Sequence, residues 1–235
     1  MTRPAAVLSG DALLDNPGWH SLAGAHARFA EVHGGAARYQ PDVSPIHALS
    51  DASSPESWES LKGLIPVGGS TFIPAAGAVA RPGWEVEFSI PGVQLVDVAL
   101  AAGPDPSAVR LGAADVPEML DLVARTKPGP FENRTVELGT YLGLRDESGA
   151  LIAMAGERMH PPGWTEISAV CTDPGHRGKG LATRLIRAVA AGIRERGETP
   201  FLHTGASNTT AIRLYEAIGF TLRRTIDFTG YRRVS

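Results

Sequence analysis

The segment over residues 166–182 carries the residue types best suited to binding an anion. A strand-like apolar stretch, residues 166–172, leads into a short basic loop and then into a helix that begins near Leu181. The end of the loop combines glycines at 178 and 180 with three basic side chains, His176, Arg177 and Lys179. A helix N-terminus presents unpaired backbone N–H groups and about half a positive charge, and glycine lets an anion approach the backbone. This arrangement predicts a phosphate-binding loop.

Two well-known phosphate loops do not fit the segment. A Walker loop needs a hydroxyl residue after its lysine, whereas Lys179 is followed by Gly180. A dinucleotide-binding fingerprint needs a third glycine, and Thr183 occupies that position. The pattern that does fit is R-x-x-G-x-A, which runs from Arg177 to Ala182.

A second motif follows further along the chain, where residues 208–220 read N-x-x-A-x-x-x-Y-x-x-x-G-F. Asn208 is a favourable N-cap and Gly219 a favourable C-terminal residue, so the motif predicts a helix. Asn208, Ala211 and Tyr215 fall on one face of that helix. At 1.5 Å per residue, Asn208 and Tyr215 lie roughly 10 Å apart, so this face can contact two separated parts of an elongated ligand.

Together the two motifs resemble those of the GNAT superfamily of acyl-CoA N-acyltransferases, and the resemblance covers roughly residues 107–232. It implies a mixed α/β (α+β) fold, in which a mostly antiparallel sheet with two splayed central strands is flanked by helices. It also implies acetyl-CoA as co-substrate and no metal. The residues expected to bind the cofactor are Val170, Cys171, Thr172, His176, Arg177, Gly178, Lys179, Gly180, Leu181, Ala182, Asn208, Ala211 and Tyr215.

The resemblance further implies that an amine attacks the thioester directly, while a backbone N–H of the central strand stabilises the oxyanion. Tyr215 is the expected general acid for the departing thiolate, because a phenol of pKa about 10 keeps its proton at neutral pH. Glu166 is the expected base, and Glu157 and His160 are alternatives. A longer acyl-CoA or an amino-acid acceptor stays open, as does a catalytically silent acyl-CoA-binding regulatory module. The presence of Tyr215 argues against the silent module.

The composition suits a folded protein with two unlike parts. The chain has 235 residues, of which 43% are hydrophobic and 20% charged. Residues 1–105 hold 5 Lys/Arg against 11 Asp/Glu, whereas residues 106–235, which contain the phosphate-loop motif, hold 17 against 14. The breaker-rich segment 101–107 is the expected boundary. It would separate a smaller N-terminal α/β region, which could be a degenerate GNAT-like half-domain, from a catalytic domain.

Other features narrow the partners and the compartment. The single cysteine, Cys171, excludes an intramolecular disulfide and agrees with a reducing compartment. No signal-like segment or apolar run of about 20 residues is evident, so a cytoplasmic protein is expected. The sequence lacks the dense basic stripe that would indicate a nucleic-acid partner, so no nucleic-acid partner is expected. No membrane partner is expected either. The expected partner is a small-molecule or peptide amine, and a homodimer is consistent with the family.

Patterning also predicts the individual elements. The N-terminal part should contain a helix over 17–32, a loop or short helix over 42–60, and strands over 70–74, 84–90 and 93–100. The second part should contain strands over 109–112, 139–145, 151–158, 166–172, 200–205 and 220–228, with helices over 114–125 and 181–196 and around Tyr215. The resemblance implies that the loop 126–134 lines the acceptor side, where Lys127 or Arg134 could hold a carboxylate or simply be a solvated loop charge. Trp164 could border the same pocket or simply anchor its turn. His20, His26, His33 and His47 lack a convincing metal-binding spacing.

Overall fold

A computed structural model describes residues 12–75 and 79–235 of the chain. The first elements are a short helix and a small antiparallel sheet, α1 (Pro17–Leu22), β1 (Ala30–His33), β2 (Ala36–Tyr39) and β3 (His47–Leu49), followed by helix α2 (Pro55–Lys62). The predicted helix over residues 17–32 is therefore wrong beyond Leu22. The hairpin turn at Gly34–Gly35 pairs β1 with β2, and this pairing outweighs the helical pattern of the apolar residues before it.

In the described part of the chain, the large sheet has eight strands in the order β4-β11-β5-β10-β9-β8-β7-β6. These strands are β4 (Ser70–Ala75), β5 (Trp84–Asp97), β6 (Val109–Leu111), β7 (Tyr141–Arg145), β8 (Leu151–Glu157), β9 (Trp164–Thr172), β10 (Thr199–Gly205) and β11 (Phe220–Arg233). The helices that accompany them are α3 (Val116–Thr126), α4 (Leu181–Glu195) and α5 (Thr209–Ile218). All strand pairs are antiparallel except β9 with β10. The predicted mixed α/β fold with a mostly antiparallel sheet is confirmed.

The two predicted strands 84–90 and 93–100 are one continuous strand, β5. Pro91 lies just beyond the end of β10, because Gly92 is the last residue of β5 that pairs with that strand. At Pro91, among the described residues, β5 therefore has a neighbouring strand on one side only. A strand tolerates proline at such an edge position, because no neighbour there needs its missing N–H. β5 is thus inserted between β10 and β11, so strands from both parts of the chain form the same sheet. The division near residues 101–107 stays a prediction.

The central strands β9 and β10 part soon after they meet. Their parallel pairing covers only residues 164–166 of β9 and 199–201 of β10. Beyond it, residues 167–172 and 202–205 pair with the outer neighbours β8 and β5 and, within the described chain, not with each other. The predicted splayed strands are confirmed, and we call the gap between these two segments the strand opening.

Different elements cover the two faces of the sheet. On one face, α4 and α5 pack over Leu95, Ile167 and Leu202 in a core that also contains Tyr215. On the other face, the N-terminal elements pack over Val96, Trp164 and Phe201, and α3 packs over Met154 and Cys171. Side chains alternate between the faces along each strand, so Phe201 and His203 point to the side of the N-terminal elements.

Candidate functional site

The predicted phosphate loop connects β9 to α4 and is exposed. Asp173 begins it by accepting a hydrogen bond from the Gly175 N–H at 2.9 Å, and α4 starts directly after Gly180. Gly178 and Gly180 have φ angles of 77° and 74°, a region that favours glycine. Apart from the adjacent residues in the chain, a Cβ at either position would meet no atom of residues 12–75 and 79–235 within 4 Å. The loop is therefore both dependent on glycine and open above its backbone.

Basic side chains and free amides surround this open backbone. Arg177 and Lys179 are exposed, and His176 is half-buried with its Nδ1 3.6 Å from the Asp173 carboxylate. Leu181 is buried and Ala182 half-buried at the start of α4, whose first-turn N–H groups have no partner within the helix. The arrangement can bind a diphosphate by backbone amides and positive charge.

Within the strand opening, β9 contains a bulge. Met154 of β8 pairs with Cys171 and Gly156 pairs with Ser168, so the two residues between them on β9 face a single residue of β8. One of the two, Ala169, has a φ of 53°, which is rare for a residue other than glycine. A bulge of this kind removes backbone groups from the ladder and redirects them. The bulge contains Val170 and ends two residues before Thr172; Val170 and Thr172 are both half-buried at the strand opening.

Cys171 differs from its neighbours because its thiol packs away from the strand opening. It lies in the core between the sheet and α3, together with Met119 and Leu122. Burial raises the pKa of the Cys171 thiol. Any contact of this residue with a cofactor would therefore involve its backbone.

The second motif forms helix α5 as its sequence predicts. The Asn208 side chain accepts a hydrogen bond from the Ala211 N–H at 3.2 Å, and Gly219 ends the helix with a φ of 115°. Tyr215 is buried in the same core as Ile167 of β9 and Leu202 of β10. Burial raises the pKa of Tyr215 to about 12, so its phenol is protonated at neutral pH.

Glu166, the expected base, is fully buried with both carboxylate oxygens bound. Arg158 donates to them through Nε at 2.8 Å and Nη2 at 2.7 Å, and His203 Nδ1 lies 2.7 Å from Oε1. Burial alone raises the pKa of Glu166, but the charge and hydrogen bonds of Arg158, with the His203 hydrogen bond, outweigh it and lower the pKa to about 2. A carboxylate held in this way is a poor acceptor for a proton.

The hydrogen bonds beyond His203 determine its tautomer. Arg223 can only donate, and its Nη1 lies 2.8 Å from Gln94 Oε1, so the Gln94 amide nitrogen faces His203 Nε2 at 2.9 Å. His203 Nε2 therefore accepts, and Nδ1 carries the hydrogen that is donated to Glu166. The same Gln94 nitrogen also donates to the Leu14 carbonyl at 2.8 Å. The N-terminal segment thus helps to hold this row of buried polar groups.

The alternative bases, Glu157 and His160, lie at the end of β8 and just beyond it. Glu157 is buried and accepts hydrogen bonds from Arg196 at 3.0 Å and from the Thr140 N–H at 3.1 Å. Burial lowers the pKa of His160 to about 4, so its ring is neutral at pH 7. His160 Nε2 is buried 3.6 Å from Glu157 and has no hydrogen-bond partner among the residues that the structure describes.

Residues of the expected acceptor loop have structural partners. Arg134 forms ion pairs with Glu137 at 2.8 Å and Asp42 at 3.3 Å, and these contacts raise its pKa. These contacts occupy the exposed Arg134 guanidinium, and a role for Arg134 in holding an acceptor carboxylate stays a prediction. Lys127 is exposed at the end of α3, with a φ of 50°. Trp164 is buried edge-on against Phe201 and anchors the core.

Sequence reasoning missed Arg158, Gln94 and His203. The signal that could have found them is a polar residue at an inward position of a strand otherwise rich in apolar residues, as His203 is in β10. Among residues 12–75 and 79–235, no group of three or more His, Cys, Asp or Glu side chains is placed to bind a metal ion. No helix in the described part of the chain is long and apolar enough to cross a membrane.

Comparison with known proteins supports the same family. A family model described as FR47-like protein matches residues 141–229. The chain is 40% identical to a GNAT-family protein from Novosphingobium aromaticivorans, whose crystal structure superposes with a TM-score of 0.87 over 96% of this chain and 100% of that one. A mycothiol acetyltransferase from Thermobispora bispora is 37% identical over 99 residues, and one from Sanguibacter keddieii is 33% identical over 176 residues.

The two curated mycothiol acetyltransferases differ from this chain in length. Their alignments cover 38% and 69% of this chain but only 32% and 52% of the relatives themselves, so the chain spans about half of their length or less. The Novosphingobium protein, in contrast, matches along its entire length at 40% identity. Both motifs, the splayed strands and this full-length match agree: the chain belongs to the GNAT family of acyl-CoA N-acyltransferases.

Proposed function

We propose that this protein is an N-acetyltransferase that moves the acetyl group of acetyl-CoA to an amine. The observation that carries the proposal is the open, glycine-dependent loop at the N-terminus of α4, next to the strand opening. Gly178 and Gly180 leave space above the backbone there, and the amides of residues 177–182 would hold the diphosphate. Residues 170–172 would bind the extended arm of the cofactor. Acetyl-CoA supplies the acetyl group as a reactive thioester.

In this proposal Tyr215 Oη donates a proton to the departing sulfur as the C–S bond breaks, and the resulting tyrosinate takes up the proton that the attacking nitrogen loses when the amide forms. Burial raises its pKa to about 12, so the phenol is protonated at neutral pH and the tyrosinate readily regains a proton after donating one. Tyr215 lies in the core formed by residues of both splayed strands. Backbone N–H groups that the bulge at Ala169 redirects would stabilise negative charge on the reacting carbonyl oxygen.

We propose a modified role for Glu166. Since Arg158 and His203 occupy its carboxylate, Glu166 orients the buried His203 ring between β9 and β10. It is then a positioning residue, and the amine enters the reaction in its neutral form.

The acceptor is an amine carried by a small molecule or a peptide. The names of the curated relatives make a mycothiol-type acceptor the second candidate, favoured by the 33% identity over 69% of this chain. A longer acyl-CoA and a silent acyl-CoA-binding module are the remaining alternatives.

The test is the release of free thiol from acetyl-CoA with a panel of amines. Tyr215→Phe should lower kcat by about 100-fold and leave acetyl-CoA binding unchanged, because it removes only the proton donor. Tyr231→Phe is a matched control, since this buried tyrosine lies in a separate core with Trp58 and Trp84 and should retain full turnover. An unchanged kcat in Tyr215→Phe would make Tyr215 a core residue only. Binding of acetyl-CoA without thiol release by the wild type would favour the silent module.

A further inference from the structure

Tyr141, the first residue of β7, carries a buried hydroxyl without a partner. The side chain is only 1% exposed, and its Oη has no hydrogen-bond partner among the residues that the structure describes. Buried polar atoms in folded proteins nearly always have a partner, because leaving one unpaired is costly. An unpaired hydroxyl in a buried position therefore indicates a place where a ligand supplies the missing hydrogen bond.

The Tyr141 ring crosses the neighbouring strand toward the strand opening. Tyr141 pairs with Gly156 of β8, and Gly156 pairs with Ser168 of β9, so the three residues lie side by side and face the same way. A Cβ at Gly156 would overlap the ring, which therefore lies directly over glycine backbone. Burial raises the pKa of Tyr141, and the charges of Arg158 and Glu166 act on it in opposite directions. The hydroxyl end of the ring thus lies near this ion pair.

The surroundings of this hydroxyl are those expected for an acceptor site. Glu166 precedes Ser168 by two residues on β9, so it lies on the same face of the sheet as Tyr141. Ser168 is half-buried, and the strand opening begins beside it. On the other side, Phe131 of the loop 126–134 lies edge-on to the Tyr141 ring, with centroids 5.6 Å apart at 83°. Because Oη is buried, a ligand reaches it only when Phe131 or a neighbouring side chain moves.

A phenol at this position selects for an oxygen atom in the acceptor. Tyr141 keeps its proton at neutral pH, because burial raises its pKa, so the hydroxyl acts as a donor. The lone pair of the attacking amine must point at the thioester carbon and cannot accept this hydrogen. A neutral oxygen close to the amine can accept it. A carboxylate fits less well, because the Arg158 charge is already paired with Glu166 at 2.7 Å.

We propose that Tyr141 Oη donates a hydrogen bond to a hydroxyl or carbonyl oxygen of the acceptor, close to the amine that is acetylated. Tyr141 is then an acceptor-binding residue, and it favours amino alcohols and amines next to a carbonyl over simple alkylamines. The proposal rests on the proposed acetyltransferase function and names the class of its acceptor. Since the hydrogen bond forms only with the acceptor bound, the hydroxyl adds nothing to the stability of the free protein.

The test compares ethanolamine with propylamine, in which a methyl group replaces the hydroxyl. Each amine is titrated by calorimetry into the wild type, Tyr141→Phe and Tyr231→Phe, all saturated with CoA. Tyr141→Phe should weaken ethanolamine binding about fivefold, the typical effect of one neutral hydrogen bond, and should not weaken propylamine binding. Each amine is compared with itself across the variants, so the unequal basicity of the two amines cancels. Tyr231 packs against Trp58 in a separate core, and Tyr231→Phe should change neither affinity.

Urea unfolding distinguishes acceptor binding from a structural role. Tyr141→Phe should keep the wild-type urea midpoint or raise it, because it removes a buried hydroxyl that no described residue pairs with. A lower midpoint with an equal loss of affinity for both amines would make Tyr141 a structural residue and overturn the proposal. Unchanged ethanolamine affinity in folded Tyr141→Phe would also overturn it, as would absence of measurable ethanolamine binding to the wild type.

Thiol release from acetyl-CoA separates this proposal from the acetyltransferase function. Turnover of both amines without dependence on the Tyr141 hydroxyl keeps the acetyltransferase and rejects the oxygen contact. Ethanolamine binding that depends on the Tyr141 hydroxyl, without thiol release, does the reverse.

Discussion

Replacing Glu166 with glutamine should destabilise the protein by about 3 kcal/mol at neutral pH. Burial opposes ionisation of this carboxyl, yet Arg158 and His203 lower its pKa from the ordinary 4.5 to about 2. The difference between these values corresponds to about 3 kcal/mol in favour of the folded state. Glutamine would also leave the buried Arg158 guanidinium without its counter-charge, and the typical cost of such a loss, roughly 3–5 kcal/mol, agrees with this value.

The pH dependence follows from the same pKa. Because the folded carboxyl has the lower pKa, its contribution to stability is fully present above about pH 4.5 and is lost as the pH falls toward 2. Urea unfolding followed by circular dichroism at pH 7 measures the change in the free energy of unfolding. The double variant Glu166→Gln with Arg158→Met should recover part of the loss, since it removes the unpaired charge.

A matched control comes from the ion pair on α2 in which Lys62 Nζ lies 2.8 Å from Oε1 of the exposed Glu59. Glu59→Gln removes the same charge from a solvated site and should leave the urea midpoint nearly unchanged. If Glu166→Gln lowers the free energy of unfolding by less than about 1 kcal/mol, the reasoning is refuted, because solvent or another group must then compensate the charge of Arg158.

Two further predictions concern stability. Burial lowers the pKa of His26, His47 and His160 to about 4, so unfolding takes up protons between pH 6.5 and 4 and stability falls through that window as the pH drops. Urea unfolding curves at pH 7 and 5 should show this loss. His47→Gln should reduce the slope of the free energy of unfolding against pH by roughly 1.4 kcal/mol per pH unit. Equal free energies of unfolding of the wild type at the two pH values would contradict the prediction. Gly219→Ala should cost at least about 2 kcal/mol in urea unfolding, because its φ is 115° and a Cβ would lie 2.5 Å from neighbouring backbone. Gly103→Ala, with open space and no positive φ, should be neutral, and equal effects at the two glycines would argue against strain at the end of α5.

The features that sequence predicted well depend on local signals. The cap at Asn208, the left-handed Gly219 and the glycines at the start of α4 each determine backbone conformation within a few residues. The strands and helices of the second part were therefore predictable in order and approximate extent. The phosphate loop could be assigned for the same reason, because its amides, glycines and charges lie close together in the chain.

The rest depends on pairing between distant segments. Glu166 could be placed on β9 from its sequence, but its burial follows from Arg158 on one neighbouring strand segment and His203 on the other. The insertion of β5 between β10 and β11 is equally non-local, since β5 precedes both of those strands by more than a hundred residues in the sequence. No local pattern specifies such contacts. The helix predicted over 17–32 failed because pairing of β1 with β2 overrode its apolar periodicity.

The most direct test of the central claim is calorimetric titration of acetyl-CoA into the wild type, Gly178→Glu and Gly149→Glu. Both glycines have positive φ, 77° and 89°, and open space around them, so the two substitutions carry similar strain and equal charge. Only Gly178 lies in the phosphate loop; Gly149 lies in the turn between β7 and β8. We predict micromolar binding to the wild type and to Gly149→Glu, and loss of binding in a folded Gly178→Glu. Absence of binding to the folded wild type, or equal binding to both variants, would contradict the account.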